Sequence, residues 1–389
     1  MRNVDPKVEE AIDTLNMKDG TTRRRLLSGA GLASATAAAS ALLAACGGSS
    51  SSGSTAKQAA GNFPKTPAWQ FWFVNHVYTN PFFVPTQYGF QDAAALLGLP
   101  KPNWGGSAST SSVPQMVSYL NNATSAKAGG IATTVINSTG FTKPVANAMN
   151  AGIPVITYNA DGLYKSDGTP VIGTNRLCYV GQALFNSGVQ MGNKIKTLVP
   201  GGGDIVVFIA TPGTGNIQPR YDGAASVLKS SGYTLHEIAT GAATSAELPA
   251  EKAYLSANKG KIKGAFAVDA GSTSFLAQAL AATGLKVPAG GFDLVPQTLK
   301  AIQAGHINFT IDQSPYLQGF LPVLYLYLYN LSGSLVFPPN TDTGLTFVTK
   351  DNVGPYLGSS SRFEGSSSQQ KYIKRPSGPI KNPIATTST

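Results

Sequence analysis

Short apolar runs alternate along this chain with longer stretches in which apolar residues recur every three to four positions. Short apolar runs suit strands buried on both faces, and the amphipathic stretches suit helices that cover them. The predicted strands are residues 70–74, 131–136, 154–158, 204–209, 265–268, 290–292 and 307–311. The predicted helices are residues 86–97, 113–126, 142–150, 183–198 and 272–282. This order predicts an α/β fold with parallel sheets. The chain holds two successive series of strands and helices, which are long enough for two lobes.

The first 46 residues have the pattern of a bacterial export signal that ends in a lipidation site. Three arginines, Arg23 to Arg25, precede a mildly apolar stretch, and small residues lead to Leu-Ala-Ala-Cys at Cys46. The leader resembles twin-arginine signals and its end resembles a lipobox, which implies a diacylglycerol on Cys46. An uncleaved membrane helix is the alternative, but it needs about 20 predominantly apolar residues. Serines and glycines interrupt the stretch here.

Charge and cysteine content exclude several classes of protein. The net charge of +10 arises because there are only 19 acidic residues, and the basic residues are scattered rather than clustered. Nucleic-acid binding requires a clustered basic stripe, so no nucleic-acid partner is predicted. With Cys46 assigned to lipidation, Cys178 has no partner for a disulfide.

Polar side chains follow the predicted strands at the points where the strands end. Ligands of open α/β sheets bind beyond these carboxyl ends. Most of the side chains at these strand ends are amides and carboxylates. One arginine lies at the start of the helix after the loop at 210–215, and two phenylalanines follow the first strand. The predicted ligand-binding residues are Asn80, Phe82, Phe83, Asn137, Asn159, Asp161, Arg220, Asp269, Asp293 and Gln313.

This set suits a sugar or polyol. Each hydroxyl group donates and accepts, and Asn, Asp, Gln and Arg side chains offer paired groups that meet two neighbouring hydroxyls. Aromatic rings supply an apolar surface for the C–H face of a sugar ring. The alternative is that Asn and Asp at strand ends only cap the following helices. That alternative is stronger for any one residue than for the aligned set.

The chain resembles type I periplasmic binding proteins of the ribose- and galactose-binding kind, the receptors of bacterial sugar ABC transporters. The resemblance covers about residues 69 to 347 and depends on the order and spacing of motifs that are weak singly. They are Asn80-Pro81-Phe82-Phe83, Gly152-Ile153-Pro154-Val155-Ile156, Val180-Gly181-Gln182, Gly291-Phe292-Asp293 and Thr310-Ile311-Asp312-Gln313.

The resemblance also suggests roles for individual residues. It implies that Asn80, Asn137, Arg220, Asp269, Asp293 and Gln313 bind sugar hydroxyls, with Phe82 and Phe83 covering the ring. Two departures argue against ribose itself. Asn159-Ala160 stands where ribose receptors carry Asp-Arg, and Asp269 replaces a common Asn.

The fold implied by this resemblance is two Rossmann-like lobes joined by a three-strand hinge. The chain is expected to cross between the lobes near Cys178, Gln313 and Leu345. The expected organisation is a signal peptide at 1–46, a flexible linker at 47–67, an N-terminal lobe at 68–177 plus 314–344, a C-terminal lobe at 178–313 plus 345–358, and a loose tail at 359–389.

Other motifs do not indicate a cofactor, a metal or an enzyme. The loop at 210–215 contains Gly-x-Gly but lacks the third glycine of a dinucleotide site. The three histidines are too far apart for metal spacing. His76 is assigned to local packing rather than to the ligand, and Trp104 to a polar loop at the rim of the cleft.

These observations predict a monomeric, non-enzymatic receptor, lipid-anchored in the periplasm or on the outer face of the cytoplasmic membrane. It captures a monosaccharide or polyol between closing lobes and delivers it to an ABC transporter permease. One alternative is a signalling receptor for a sugar-like molecule such as autoinducer-2. The other is an exported sugar-processing enzyme that uses Asp269 and Asp293 for acid–base chemistry.

Overall fold

The structure, a computed structural model, describes residues 65–333 and 338–358. The predicted signal peptide with Cys46, most of the predicted linker and the predicted tail lie outside the described residues. Among the helices within the described ranges, none is long and apolar enough to cross a membrane.

Strands and helices alternate along the chain as the sequence predicts. In chain order they are β1 (Phe71–Asn75), α1 (Val84–Leu96), β2 (Asn103–Gly106), α2 (Val113–Ser125), β3 (Gly130–Val135), α3 (Thr142–Asn150), β4 (Val155–Asp161), β5 (Leu163–Tyr164), β6 (Pro170–Val171), β7 (Tyr179–Gly181), α4 (Leu184–Leu198), β8 (Gly203–Ile209), α5 (Gln218–Leu228), β9 (Tyr233–Ala239), α6 (Thr244–Ala257), β10 (Ile262–Ala267), α7 (Ala270–Thr283), β11 (Ala289–Phe292), α8 (Pro296–Ala304), β12 (Phe309–Asp312), α9 (Pro315–Ser332), β13 (Asn340–Asp342), β14 (Thr346–Thr349) and α10 (Gly354–Gly358).

Twelve of the described strands form two six-stranded sheets, one for each lobe, and β5 and β6 pair antiparallel in a small separate sheet. The first has the order β13-β7-β4-β3-β1-β2, and all its neighbouring strands are parallel. The second has the order β14-β12-β11-β10-β8-β9. Every residue of β3 and β4 is buried, as expected for parallel strands covered on both faces. The predicted α/β fold with two parallel-sheet lobes is confirmed.

One strand departs from the predicted parallel arrangement. β14 runs antiparallel to β12 at the edge of the second sheet. It follows β13 of the first sheet after only three residues, 343–345. The chain therefore enters the second sheet at the edge where the parallel strands end, and it must run against their direction.

The chain passes between the two sheets three times. The passages lie between β7 and α4, between β12 and α9, and between β13 and β14. The first comes after Gly181, a few residues later than the predicted crossing near Cys178. The reason is that β7 pairs with β4 and β13, and the carbonyl of Cys178 accepts a hydrogen bond from the Thr157 N–H at 3.0 Å. Cys178 therefore belongs to the first sheet.

Close packing of α4 on α5 positions one functional residue, Arg220. A side chain at Gly188 would place its Cβ 2.0 Å from the backbone oxygen of Arg220, and one at Gly223 would lie 2.0 Å from that of Phe185. Both positions require glycine because the two helix backbones touch there. This contact fixes the first turn of α5 against α4.

Candidate functional site

Eight of the ten predicted ligand-binding residues line one cavity at the carboxyl ends of both sheets, which we call the sugar cavity. The first lobe contributes an aromatic pair and two amides, and the second contributes the charged groups. These eight residues are Asn80, Phe82, Phe83, Asn159, Arg220, Asp269, Asp293 and Gln313.

The other two predicted residues lie elsewhere. Asn137 is exposed, and its Oδ1 accepts hydrogen bonds from the backbone N–H groups of Thr139 and Gly140, at 3.0 and 2.8 Å. Asp161 forms an ion pair with Arg176 at 2.5 Å and accepts a hydrogen bond from Thr157 at 2.6 Å. The amide oxygen of Asn137 is thus used in a local turn, and the carboxylate of Asp161 in an ion pair. The strand-end pattern alone does not reveal either interaction.

Asp269 and Asn80 both line the sugar cavity and cap helical turns. The Asp269 carboxylate accepts hydrogen bonds from the N–H of Ser272 at 2.9 Å and the N–H of Ala210 at 2.8 Å. Asn80 Oδ1 accepts from the Phe82 N–H at 2.9 Å. The capping alternative therefore holds for these two residues. The cap at Asn80 uses only Oδ1 and leaves Nδ2 for other contacts. Burial raises the pKa of Asp269, and the hydrogen bonds from Ser272 and Ala210 oppose that rise.

Arg220 carries the positive charge of the site and is only 2% exposed. Its Nη1 donates to the carbonyl oxygen of Val268 at 2.9 Å, and its Nη2 donates to Gln182 Oε1 at 3.2 Å. The guanidinium lies 4.2 Å from the centre of the Phe292 ring, a cation–π distance. Burial lowers the pKa of Arg220, and the nearby Asp293 opposes this.

A chain of amide hydrogen bonds connects the two lobes through the sugar cavity. Gln313 Nε2 donates to Asp293 Oδ1 at 2.6 Å, and Gln318 Nε2 donates to Gln313 Oε1 at 3.0 Å. Asn159 Nδ2 in turn donates to Gln318 Oε1 at 3.0 Å. Asn159 and Asp293 both have positive φ, 62° and 79°. Such conformations are costly for residues with side chains and often accompany functional sites.

The same chain of bonds reaches the passages between the lobes. Thr343 in the third passage donates to the Gln313 carbonyl at 2.7 Å, and Gln182 in the first donates to the Gly344 carbonyl at 3.2 Å. Gln182 also accepts the bond from Arg220. The three passages are therefore tied to the groups that line the cavity. Neither Gln182 nor Gln318 was among the predicted site residues, although both lie within or beside motifs that indicated the family.

His76 and Asn216 also line the sugar cavity and join the lobes. Asn216 Nδ2 lies 3.1 Å from His76 Nε2, and Thr134 Oγ1 lies 3.2 Å from His76 Nδ1. Burial lowers the pKa of His76 to about 3, so the ring is neutral near pH 7 and Nε2 accepts from the amide. His76 directly follows β1, so the strand-end pattern could have identified it. Asn216 lies in a loop without such a signal.

Trp104 lies in β2, where its indole N–H donates to the Tyr78 carbonyl at 3.1 Å. Its ring packs on Phe83 and Phe90, with centres 6.0 and 5.5 Å apart. The prediction of a polar loop at this position is wrong because Asn103–Gly106 pairs with β1. Trp104 supports the Phe83 ring from behind.

Two fully buried polar atoms of the side chains that line the cavity have no hydrogen-bond partner within the described part of the chain. They are Nε of Arg220, a donor, and Oδ1 of Asn216, an acceptor. Buried polar groups are normally paired. A hydroxyl group can both donate and accept, so a polyhydroxylated ligand suits this pair of atoms.

One mouth of the cleft is closed by direct contact between the lobes. The N–H of Gly215 in the second lobe donates to the Ile136 carbonyl in the first at 2.9 Å. A Cβ at Gly215 would lie 2.2 Å from the Gly162 carbonyl oxygen. Only glycine fits this contact without movement of the backbone.

Substitution Gly215→Ala is expected to weaken ligand binding about tenfold, because it destabilises the closed arrangement and lowers the fraction of binding-competent molecules. Isothermal titration calorimetry with the ligand measures the change. Gly260→Ala is the matched control, since a Cβ there meets no atom within 4 Å. Equal affinity of both variants would show that closure at Gly215 does not matter for binding.

Comparisons with known proteins identify the family. Residues 71–332 match the family described as periplasmic binding protein domain. The chain belongs to this family.

The predicted resemblance to sugar ABC transporter receptors is confirmed by individual relatives. The xylose/arabinose-binding protein XylF of Sulfolobus acidocaldarius is 48% identical over 323 residues, which cover 80% of this chain and 78% of that protein. Among solved structures, the arabinose-binding protein AraP of Geobacillus stearothermophilus is 26% identical with a TM-score of 0.59, covering 74% of this chain and 98% of AraP. A solute-binding protein of Burkholderia graminis in complex with D-arabinose shares the fold, with 24% identity, a TM-score of 0.67 and coverage of 75% and 99%.

Proposed function

We propose that this family member binds a pentose in the sugar cavity and delivers it to the permease of an ABC transporter. The two lobes close on the sugar by movement about the three passages between the sheets. Binding, rather than chemical conversion, is the proposed role. The Asp269 carboxylate accepts hydrogen bonds from Ser272 and Ala210. Because these bonds occupy its oxygen atoms, the carboxylate is poorly placed for acid–base catalysis.

The observation that carries the proposal is the unpaired donor and acceptor at Arg220 and Asn216, set among amides, carboxylates and two phenylalanines. Phe82 and Phe83 lie edge to face with ring centres 4.7 Å apart. An aromatic platform opposite paired polar groups is what a sugar ring requires, because its C–H face is apolar and its hydroxyl edge is not. The 48% identity to a xylose/arabinose-binding protein favours a pentose among sugars.

Asn80, Asn159, Arg220, Asp269, Asp293 and Gln313 are the proposed hydroxyl-binding residues, and His76 and Asn216 are added to them. Export and acylation of Cys46 are also proposed, on the basis of the leader sequence alone. A glycine- and serine-rich segment directly after Cys46 would then act as a flexible tether. A tethered receptor stays at the membrane surface where its permease lies.

A thermal-shift screen of the purified protein tests the choice of ligand. D-xylose and L-arabinose are expected to raise the melting temperature more than ribose, galactose or myo-inositol, since a ligand at a hundred times its dissociation constant adds about 2.7 kcal/mol to the free energy of unfolding. Maltose, a disaccharide of hexoses, serves as the control. A rise with myo-inositol alone would move the proposal from pentoses to polyols. If no sugar or polyol raised the melting temperature, the proposed function would be wrong.

A further inference from the structure

A second cavity lies beside the sugar cavity, and we call it the side cavity. It has a volume of about 260 Å³ and is lined from both lobes. The first lobe contributes Pro81, Phe82 and Pro85, α7 contributes Ser274 and Phe275, and the first turn of α8 contributes Pro296. This volume is close to the lower limit for ligand pockets, about 300 Å³.

The two cavities share walls. Asn80, Phe82 and Ala270 line both of them. The two cavities are therefore adjacent at Phe82, and this is the side on which a ligand in the sugar cavity lies next to the side cavity. The opposite mouth does not offer such space, because Gly215 and Ile136 are hydrogen-bonded there and Asn216 contacts His76. The cleft is thus closed at one end by contact between the lobes and has the side cavity at the other end.

The chemistry of the side cavity differs from that of the sugar cavity. Its lining is mainly proline, phenylalanine and leucine, and none of the described residues that line it is charged. A few neutral polar groups are present, including Ser274 and Gln297. In addition, α8 begins without a side-chain cap, so the N–H groups of its first turn are available to oxygen atoms of a ligand. These walls suit an uncharged group with an apolar face and some oxygen atoms.

We infer that the side cavity holds a substituent on the sugar, so that the preferred ligand is a glycoside. The pentose ring lies in the sugar cavity, and a second sugar ring or an aryl group lies in the side cavity. This inference rests on the proposed function, because it assigns the sugar ring to the sugar cavity. The lack of charged lining residues in the described structure disfavours phosphorylated or uronic-acid substituents, whose charge would be buried without a partner.

Calorimetric titration compares free and substituted sugars directly. The probes are D-xylose, xylobiose, and the 4-nitrophenyl α- and β-glycosides of D-xylose and L-arabinose. At least one glycoside is expected to bind tenfold or more tightly than its free sugar, because it buries additional apolar area. If a free pentose binds and every glycoside binds more weakly, the inference is overturned while the proposed function stands. If no free sugar and no glycoside binds, the proposed function itself fails.

Two substitutions locate the substituent. Ser274→Trp and Thr244→Trp each place a bulky ring at the side cavity from a different helix, and neither residue lines the sugar cavity. Both variants are expected to lower glycoside affinity tenfold or more while leaving free-pentose affinity unchanged. Gln278→Trp is the control, since Gln278 lies on the exposed face of the same helix as Ser274. Unchanged glycoside affinity in both side-cavity variants would overturn the inference, as would an equal loss for free pentose and glycoside.

Discussion

Substitution Arg220→Ala is expected to weaken pentose binding at least a hundredfold. The guanidinium is buried, stacks on Phe292 and has an unpaired Nε in the sugar cavity. A hydrogen bond from a charged group contributes about 1.5–3 kcal/mol, and about 2.7 kcal/mol corresponds to a hundredfold change in affinity. Removal of Arg220 also leaves the buried Asp293 carboxylate without its nearest opposite charge, which disfavours closure around an uncharged sugar.

Calorimetry on the folded variant measures this loss, and Arg176→Ala is the matched control. Arg176 is also a buried arginine, but it pairs with Asp161 away from the sugar cavity. Its removal is expected to lower the free energy of unfolding by about 3–5 kcal/mol, because Asp161 is left buried without an opposite charge, with only the hydrogen bond from Thr157 remaining. Its effect on affinity is expected to be small. A hundredfold loss in Arg176→Ala, or normal affinity in Arg220→Ala, would contradict the assignment of the site.

Stability is expected to decrease as pH rises from 5 to 8, which is opposite to ordinary acid denaturation. The cause is a pair of carboxyl groups on α6, Glu247 and Glu251, which are 3% and 0% exposed. Both oxygens of Glu251 and one of Glu247 have no hydrogen-bond partner among the described residues. Burial raises the pKa of Glu247 to about 9 and that of Glu251 to about 10, and the nearby Asp269 carboxylate adds to both shifts.

The direction of the pH effect follows from where the protons are bound. The ordinary pKa of a glutamate is 4.5, so between pH 4.5 and about 9 or 10 the folded state holds these protons and the unfolded state does not. The free energy of unfolding is therefore highest below pH 4.5, as far as these two groups contribute, and it falls as pH rises. At 1.36 kcal/mol for each pH unit, one such carboxyl lowers stability by about 3 kcal/mol between pH 5 and 7.5.

Glu251→Gln removes this titration while keeping the shape of the side chain. The variant is expected to be about 4 kcal/mol more stable than the natural protein at pH 8 and within about 1 kcal/mol of it at pH 5. Urea denaturation at the two pH values measures both differences. Asp351→Asn changes an exposed carboxyl and is the control, for which we expect little change at either pH. If Glu251→Gln changed stability equally at pH 5 and pH 8, burial of a protonated carboxyl would not be the cause.

Hydrophobic patterning predicted the strands near the centre of each sheet more accurately than those near the edges. All seven predicted strands exist, each within a few residues of its predicted bounds. The strands that were not predicted include β2, β9 and β13, which lie at sheet edges. Their residues are only partly buried, so their patterns are weaker than those of β3 and β4. Burial on both faces is what makes a strand recognisable as an apolar run.

The α/β class, the two lobes and most of the residues around the sugar cavity could be predicted from the amino-acid sequence. This was possible because parallel strands bring their carboxyl ends to one edge, so the residue after each strand is placed by local pattern alone. Which of those polar groups remain available to a ligand depends on contacts made in the folded chain, some of them between distant parts of it, and the structure is needed to identify them. Asp161 forms an ion pair with Arg176, and Asn137 accepts a hydrogen bond within its own turn. Gln318, which lies on a helix, accepts a hydrogen bond from Asn159 of the sugar cavity. The side cavity could not be predicted from the sequence either. It forms where the two lobes meet, and its walls come from segments far apart in the chain.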